Sequence, residues 1–237
     1  MFTYVVNAIK IVVTLQNVEV TMGKLNMGIL GGFTGTVGTV IGFCNKNGDD
    51  VIRVKSKKKR SSNTEGQVNQ QTKFGMVLEF MKPLNPLLQI GFCDASGNGM
   101  SSFNYACKNA LKVAINGEAP DFEFDFSKVV LSKGMVAQPT GTTAELTNSA
   151  VNFNWEDNSS TSTGGKLLNA VMVVYNVMNY QLSYSIGMAT KADKTGSLPI
   201  PNSEVGDKLL FYIFFQSAID PLQVSTSQFL GSAVVTV

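Results

Sequence analysis

The sequence predicts a mainly β protein with a few helices, in which an N-terminal part of strands and helices leads into a C-terminal two-layer β-sandwich. Three observations predict it. From residue 121 onward, short segments alternate apolar with polar side chains at regular spacing, the pattern of half-buried strands in an all-β domain. Residues 27–43 set six glycines among β-branched and aromatic residues and carry no charge. Between these two regions, apolar residues recur at helical spacing behind capping residues. With 237 residues, 44% hydrophobic and 15% charged, the chain has the apolar content for a real core rather than for disorder.

At the N-terminus, VVNAIKIVVTL within residues 5–15 is too short for a membrane span and is interrupted by Lys10. It is followed by Gln16, Asn17, Val18 and Glu19 in place of a small-residue cleavage site, so no signal peptide is recognisable. Met22 stands directly before the glycine run. Residues 1–21 are therefore expected to be an extension or a loosely attached strand. Cellular location is not legible.

Gly28, Gly31, Gly32, Gly35, Gly38 and Gly42 are expected to serve the backbone. A strand glycine costs stability unless positive φ or close approach requires it, so the run implies turns, bulges or a surface packed against another chain. These six are a candidate interface. A phosphate loop is not expected, because neither GxGxxG nor GxxxxGK[ST] is present. Residues 28–56 read as two or three short strands, the last at Val51–Val54 after an Asn47-Gly48-Asp49 turn.

Arg53, Lys55, Lys57, Lys58, Lys59 and Arg60 then supply six positive charges; with a formal total of +2, the rest of the chain sums to −4. The run is a candidate polyanion contact. It has no interleaved aromatics for base stacking, so a solvated loop flank is favoured over nucleic acid, with an electrostatic assembly contact as a third reading.

A helix is expected from Thr64, with Gln67 completing a capping box and Val68, Phe74, Val77, Leu78 and Met81 as its apolar positions. Pro83 and Pro86 punctuate its end. A second helix is expected from Ser101 to about Ile115, with Phe103, Ala106, Cys107, Ala110, Leu111 and Ala114 on one face. Further on, residues 121–126 alternate acid with phenylalanine, and Val151, Phe153 and Trp155 alternate with asparagines. Strands at 170–176, 180–187, 208–216 and 225–237 bring the set to about seven, the number of an immunoglobulin- or fibronectin-like sandwich. The strand Leu209–Phe215, LLFYIFF, is apolar on both faces. The N-terminal part, a neighbouring subunit or the strand's own loops must cover its outer face, which makes Phe211, Ile213 and Phe215 further candidate interface residues.

Catalysis is not expected. The chain has no histidine, which removes the commonest general base, the commonest metal ligand and every Ser/His or Cys/His pair. Cys44, Cys93 and Cys107 are far apart and odd in number, so buried free thiols are expected. Asp94, Ser96, Asn98 and Gly99 open like a calcium loop, but its twelfth position is Tyr105, and an Asx/Gly turn is favoured. Asp121, Glu123 and Asp125 read as a wet strand face, and Asn158-Ser-Ser160 matches a glycosylation acceptor only in a secreted protein. No cofactor or metal site is expected.

GILGGFTGTVGTVIG, the basic strand end, QVNQQTKFGMVLEFMKPLNPLLQIGF, and the FSKVVLSKG, NFNWEDNS, VVYN and QFLGSAVV pieces resemble an uncharacterised family of Bacteroidota proteins from about Met22 to the C-terminus. The resemblance implies an ordered two-part protein and carries over no activity, cofactor or catalytic residue. Residues 1–21 lie outside it.

The expected organisation is thus an extension at 1–21, a glycine-rich strand and helix part at 22–119 and a β-sandwich at 120–237. The expected role is that of a noncatalytic structural or assembly protein working through protein partners or self-association, such as a phage-like virion or surface-appendage component. The alternative is a binding module that holds a glycan or peptide with sandwich loops at 156–165 or 191–196.

Overall fold

The computed structural model describes residues 23–25, 32–45, 48–56, 63–93, 99–157 and 167–236. Expectations for 1–21, for the Asp94–Asn98 turn and for the Asn158 acceptor lie outside them. The chain divides into two compact units, Met1–Ser62 and Asn63–Val237. The sequence places the division near residue 120; it falls before the helices instead, because the helices share their core with the sandwich.

The first unit is an antiparallel four-stranded meander, β1 (Gly23–Leu25), β2 (Phe33–Val37), β3 (Val40–Cys44) and β4 (Asp50–Val54), in that spatial order. Gly38 and Thr39 link β2 to β3, closing on the Val37–Val40 pair. Gly38 has φ of 58°, a positive value at the first central residue of a two-residue hairpin loop, where glycine is favoured. Ahead of β4 the Asn45 N–H donates to Asp49 O at 2.8 Å; Asn47 of the expected turn lies outside the described residues.

In the second unit, helix α1 (Glu65–Met81) starts where the sequence puts it: the Thr64 N–H donates to Gln67 Oε1 at 3.1 Å. Its core contacts come only from the C-terminal end, where Val77, Phe80 and Met81 are buried while Val68 and Phe74 are exposed. Helix α2 (Asn85–Gly91) is an addition to the expected elements. Pro86 sits in its first turn, where a missing N–H costs nothing, so a residue read as punctuation begins a helix. Helix α3 (Ser102–Val113) is capped by Ser101 Oγ, which accepts from Asn104 N–H at 3.3 Å.

Strands β5 (Ile115–Asn116) and β6 (Glu123–Phe124) form a small hairpin outside the sandwich. The acid–phenylalanine alternation does separate a wet side from a packed one. The rings of Phe124 and Phe126 lie 5.0 and 5.4 Å from that of Phe80, while Asp125 accepts from Ser127 N–H and pairs with Lys128 at 3.2 Å.

Among the described residues seven strands make the sandwich: β7 (Thr140–Leu146), β8 (Ala150–Glu156), β9 (Leu168–Asn176), β10 (Leu182–Thr190), β11 (Thr195–Pro199), β12 (Lys208–Ser217) and β13 (Gln228–Val234). They form two antiparallel sheets in the orders β11-β8-β7 and β10-β9-β12-β13. The fourth strand pairs with the third rather than joining the first sheet, giving the three-plus-four arrangement of a fibronectin-like sandwich.

Alternation along β9 and β12 divides the core. Met172, Val174, Leu209, Phe211, Ile213 and Phe215 point into the sandwich, against Val151, Phe153 and Trp155 of β8. Val171, Val173, Tyr175, Leu210, Tyr212 and Phe214 point the other way, against Val77, Phe80, Leu84, Leu88 and Ala106 of the helical layer. Tyr212 Oη donates to Phe126 O at 2.8 Å and Tyr175 Oη to Phe80 O at 3.4 Å, satisfying two buried hydroxyls across that boundary. The LLFYIFF strand is therefore apolar on both faces because it is the middle layer of three.

Candidate functional site

Residues opposite one another in antiparallel strands share a sheet face, and the register of the first unit sorts its residues cleanly. One face takes Phe33, Val37, Val40, Ile52 and Val54, with Gly23, Gly35 and Gly42 in one cross-strand row ending at Ile52 and the exposed pair Cys44–Asp50 at its far end. The other takes Thr34, Thr36, Ile41, Phe43, Val51 and Arg53. Val37, Ile52 and Val54 on the first face are 54%, 65% and 73% exposed, and among the described residues no hydrophobic side chain before Val77 is buried. A sheet of this size without a covered apolar face is marginal in water. The first unit thus presents an apolar face with no core behind it.

Gly42 shows what the glycines do there. A β-carbon on it would meet the backbone oxygen and ring of Phe33, so the Phe33 ring lies over the space the glycine leaves. Gly32 is approached similarly by the Asp50 carboxylate, and Gly35 has φ of 123°. Gly28 and Gly31 lie outside the described residues. Cys44 is exposed on the apolar face, against the expectation of burial, while Cys107 is buried, with its thiol pKa pushed up by burial. Cys93 is half-buried and donates to Leu222 O.

The basic run begins on β4, the edge strand of this sheet. Arg53 lies on the face away from Ile52 and Val54, its guanidinium carbon 6.0 Å from the Phe43 ring centre; Lys55 is exposed. Lys57, Lys58, Lys59 and Arg60 lie outside the described residues. Charge is divided between the units: residues 1–62 hold nine basic and three acidic side chains, net +6, and residues 63–237 hold ten and fourteen, net −4.

Phe211, Ile213 and Phe215 are placed differently from the sequence expectation. They are 2%, 0% and 0% exposed inside the sandwich, Phe211 edge-on to Phe153 and Phe215 edge-on to Trp155. They are core residues and offer nothing to a partner.

The sequence missed an exposed apolar strip on β10, the edge strand of the larger sheet. Tyr184 pairs with Val173 and Ile186 with Val171, so both lie on the helix-covered side of that sheet. The helices cover its centre and leave Tyr184 42% and Ile186 40% exposed. Met188, beyond the irregularity at Gly187, is exposed as well. The signal was the Tyr-x-Ile-x-Met alternation, which reads equally well as a buried strand face.

The loops expected to hold a ligand give little. Residues 158–166 lie outside the described residues, and Lys191–Asp193 is a short 3-10 turn capped by Thr190 and Asp193. At the opposite end of the sandwich, a cleft of about 500 Å³ opens beside the β7–β8 turn and the end of β13, lined by Glu145, Leu146, Thr147, Ile200, Val234 and Val235. Among the described residues no three carboxylates or thiols gather as a metal site, and no described helix is long and apolar enough to cross a membrane.

No curated protein and no solved structure matches the chain. Residues 32–231 do match one family, entered at Gly32 within the glycine run and spanning β2–β4 of the four-stranded sheet, the helical layer and all but the end of the sandwich. The chain belongs to the Family of unknown function (DUF6266).

Proposed function

We propose that the protein is a noncatalytic structural component that works through protein–protein contacts, in the manner of a virion or surface-appendage subunit. One observation carries this reading: the four-stranded sheet exposes Val37, Ile52 and Val54 on a single face and has no buried hydrophobic side chain of its own among the described residues. An uncovered apolar face of this kind marks an interaction site. Hydrogen exchange tests it when combined with light scattering. The amides of β2–β4 should exchange quickly in isolated monomer and gain protection in an assembled state. Strong protection in a protein that stays monomeric would show that the sheet needs no partner, and the reading would fall.

The cleft between the β7–β8 turn and β13 supports a second reading, a module that holds a glycan or peptide. Its volume of about 500 Å³ suits a small ligand, and Glu145 and Thr147 supply polar groups on an apolar floor of Leu146, Ile200 and Val235. Chemical-shift changes confined to these residues on titration with oligosaccharides or peptides would support it; unchanged shifts would remove it.

A further inference from the structure

We infer that the partner of the exposed sheet is a second copy of this chain, and that the acceptor is the β10 edge of that copy's sandwich. The inference rests on the assembly reading and adds the identity of the partner and both surfaces. Three features point to it. First, the charge is complementary between units: net +6 in residues 1–62 against net −4 in residues 63–237, so the first unit of one copy is drawn to the second unit of another while like units repel.

Second, both surfaces have the same build. On β4, Ile52 and Val54 are exposed on the apolar face of an edge strand that leads directly into the basic run. On β10, Tyr184 and Ile186 are exposed on the side of an edge strand that the helical layer leaves bare. Each strand also offers one unpaired backbone edge, which an approaching strand can use.

Third, the regular stretch of β10 matches β4 in length. Its regular register runs from Leu182 to Ile186 and breaks at Gly187. That stretch spans five residues, as does β4 from Asp50 to Val54. Because donor and acceptor are different surfaces, the contact is head-to-tail, and its repetition yields an open chain of subunits unless the geometry closes a ring.

The test uses two full-length variants. Ile52→Glu with Val54→Glu places charge on the donor; Tyr184→Lys with Ile186→Lys places it on the acceptor. All four positions are exposed, so both variants should fold, which melting curves and circular dichroism would verify. In multi-angle light scattering the unaltered protein should grow in mass with concentration, less so at high salt, while each variant alone stays monomeric. An equimolar mixture of the two should give a 1:1 heterodimer and stop there, since the donor variant keeps a working acceptor and the acceptor variant a working donor. Unaltered association in either variant, or a mixture that stays monomeric, would overturn these surfaces while leaving the assembly reading standing. An unaltered protein that stays monomeric would overturn self-docking, and the assembly reading falls with it only if the sheet amides are then protected.

Discussion

The buried side-chain amide of Asn176, at the end of β9, donates to Asp207 Oδ2 at 2.7 Å in the loop before β12. The same carboxylate oxygen accepts from Glu204 N–H at 2.9 Å. These two bonds favour the charged form, the Asn176 amide most, and hold the Asp207 pKa below its usual value. A carboxylate with a lowered folded-state pKa contributes stability that is present above its unfolded value, near ~4, and is lost as pH falls through the folded-state pKa. Asp207→Asn should therefore melt below the unaltered protein at neutral pH, with the gap closing as pH drops under about 4. An equal gap at both pH values would show that Asp207 acts through shape rather than charge.

Lys191 is 1% exposed, its Nζ has no hydrogen-bond partner, and the nearest π-face is Phe215 at 5.8 Å. Its backbone carbonyl is the useful part, accepting from Trp155 Nε1 at 2.9 Å. A buried ammonium without a partner opposes folding, whereas the carbonyl bond survives any side chain. Lys191→Met should leave the melting temperature unchanged or raise it. A loss above about 1 kcal/mol would mean that the ammonium makes a compensating bond.

Phe211 separates a core role from an interface role. Packed against Phe153 and almost fully buried, it should cost about 3–5 kcal/mol on truncation to alanine, read as a lower melting temperature in dilute monomer. An interface residue would instead leave the monomer's melting unchanged and reduce only association.

Much of the second unit is legible in the chain because its signals are local. Thr64, Gln67 and Ser101 cap helices through bonds three residues away, and strands β8 and β12 announce themselves by pattern. What failed was long-range. Leu209–Phe215 shows that both faces are covered without showing by what, so Phe211, Ile213 and Phe215 read as a surface although another sheet lies over them. The domain division failed for the same reason: α1 and α3 lie between the glycine run and the sandwich in sequence but share a core with β9 and β12. Pro86 was ambiguous locally, since proline ends one helix and begins another by the same missing N–H. In the first unit, the glycines' backbone role was legible. The exposed row of Val37, Ile52 and Val54 was not, because it depends on the register of three strands.

Gly42 and Gly38 give the last prediction, because they serve the sheet for different reasons. At Gly42 the backbone oxygen and ring of Phe33 occupy the position of a β-carbon, and a backbone oxygen cannot swing aside as a side chain can. Gly42→Ala should therefore break the β2–β3 pairing at its end away from the turn, where Gly35 faces Gly42. At Gly38 nothing stands within 4 Å of the added carbon, and only φ of 58° restricts the residue. Asparagine tolerates that conformation, while a β-branched residue pays at least about 1–2 kcal/mol for it. Gly38→Asn should keep the sheet and Gly38→Val should weaken it. Amide exchange over residues 33–54 reads the first unit directly, and the melting of residues 63–237, whose core draws on no described residue before Val77, serves as the control. Protection that survives Gly42→Ala would show that β2 and β3 are not held in this close register.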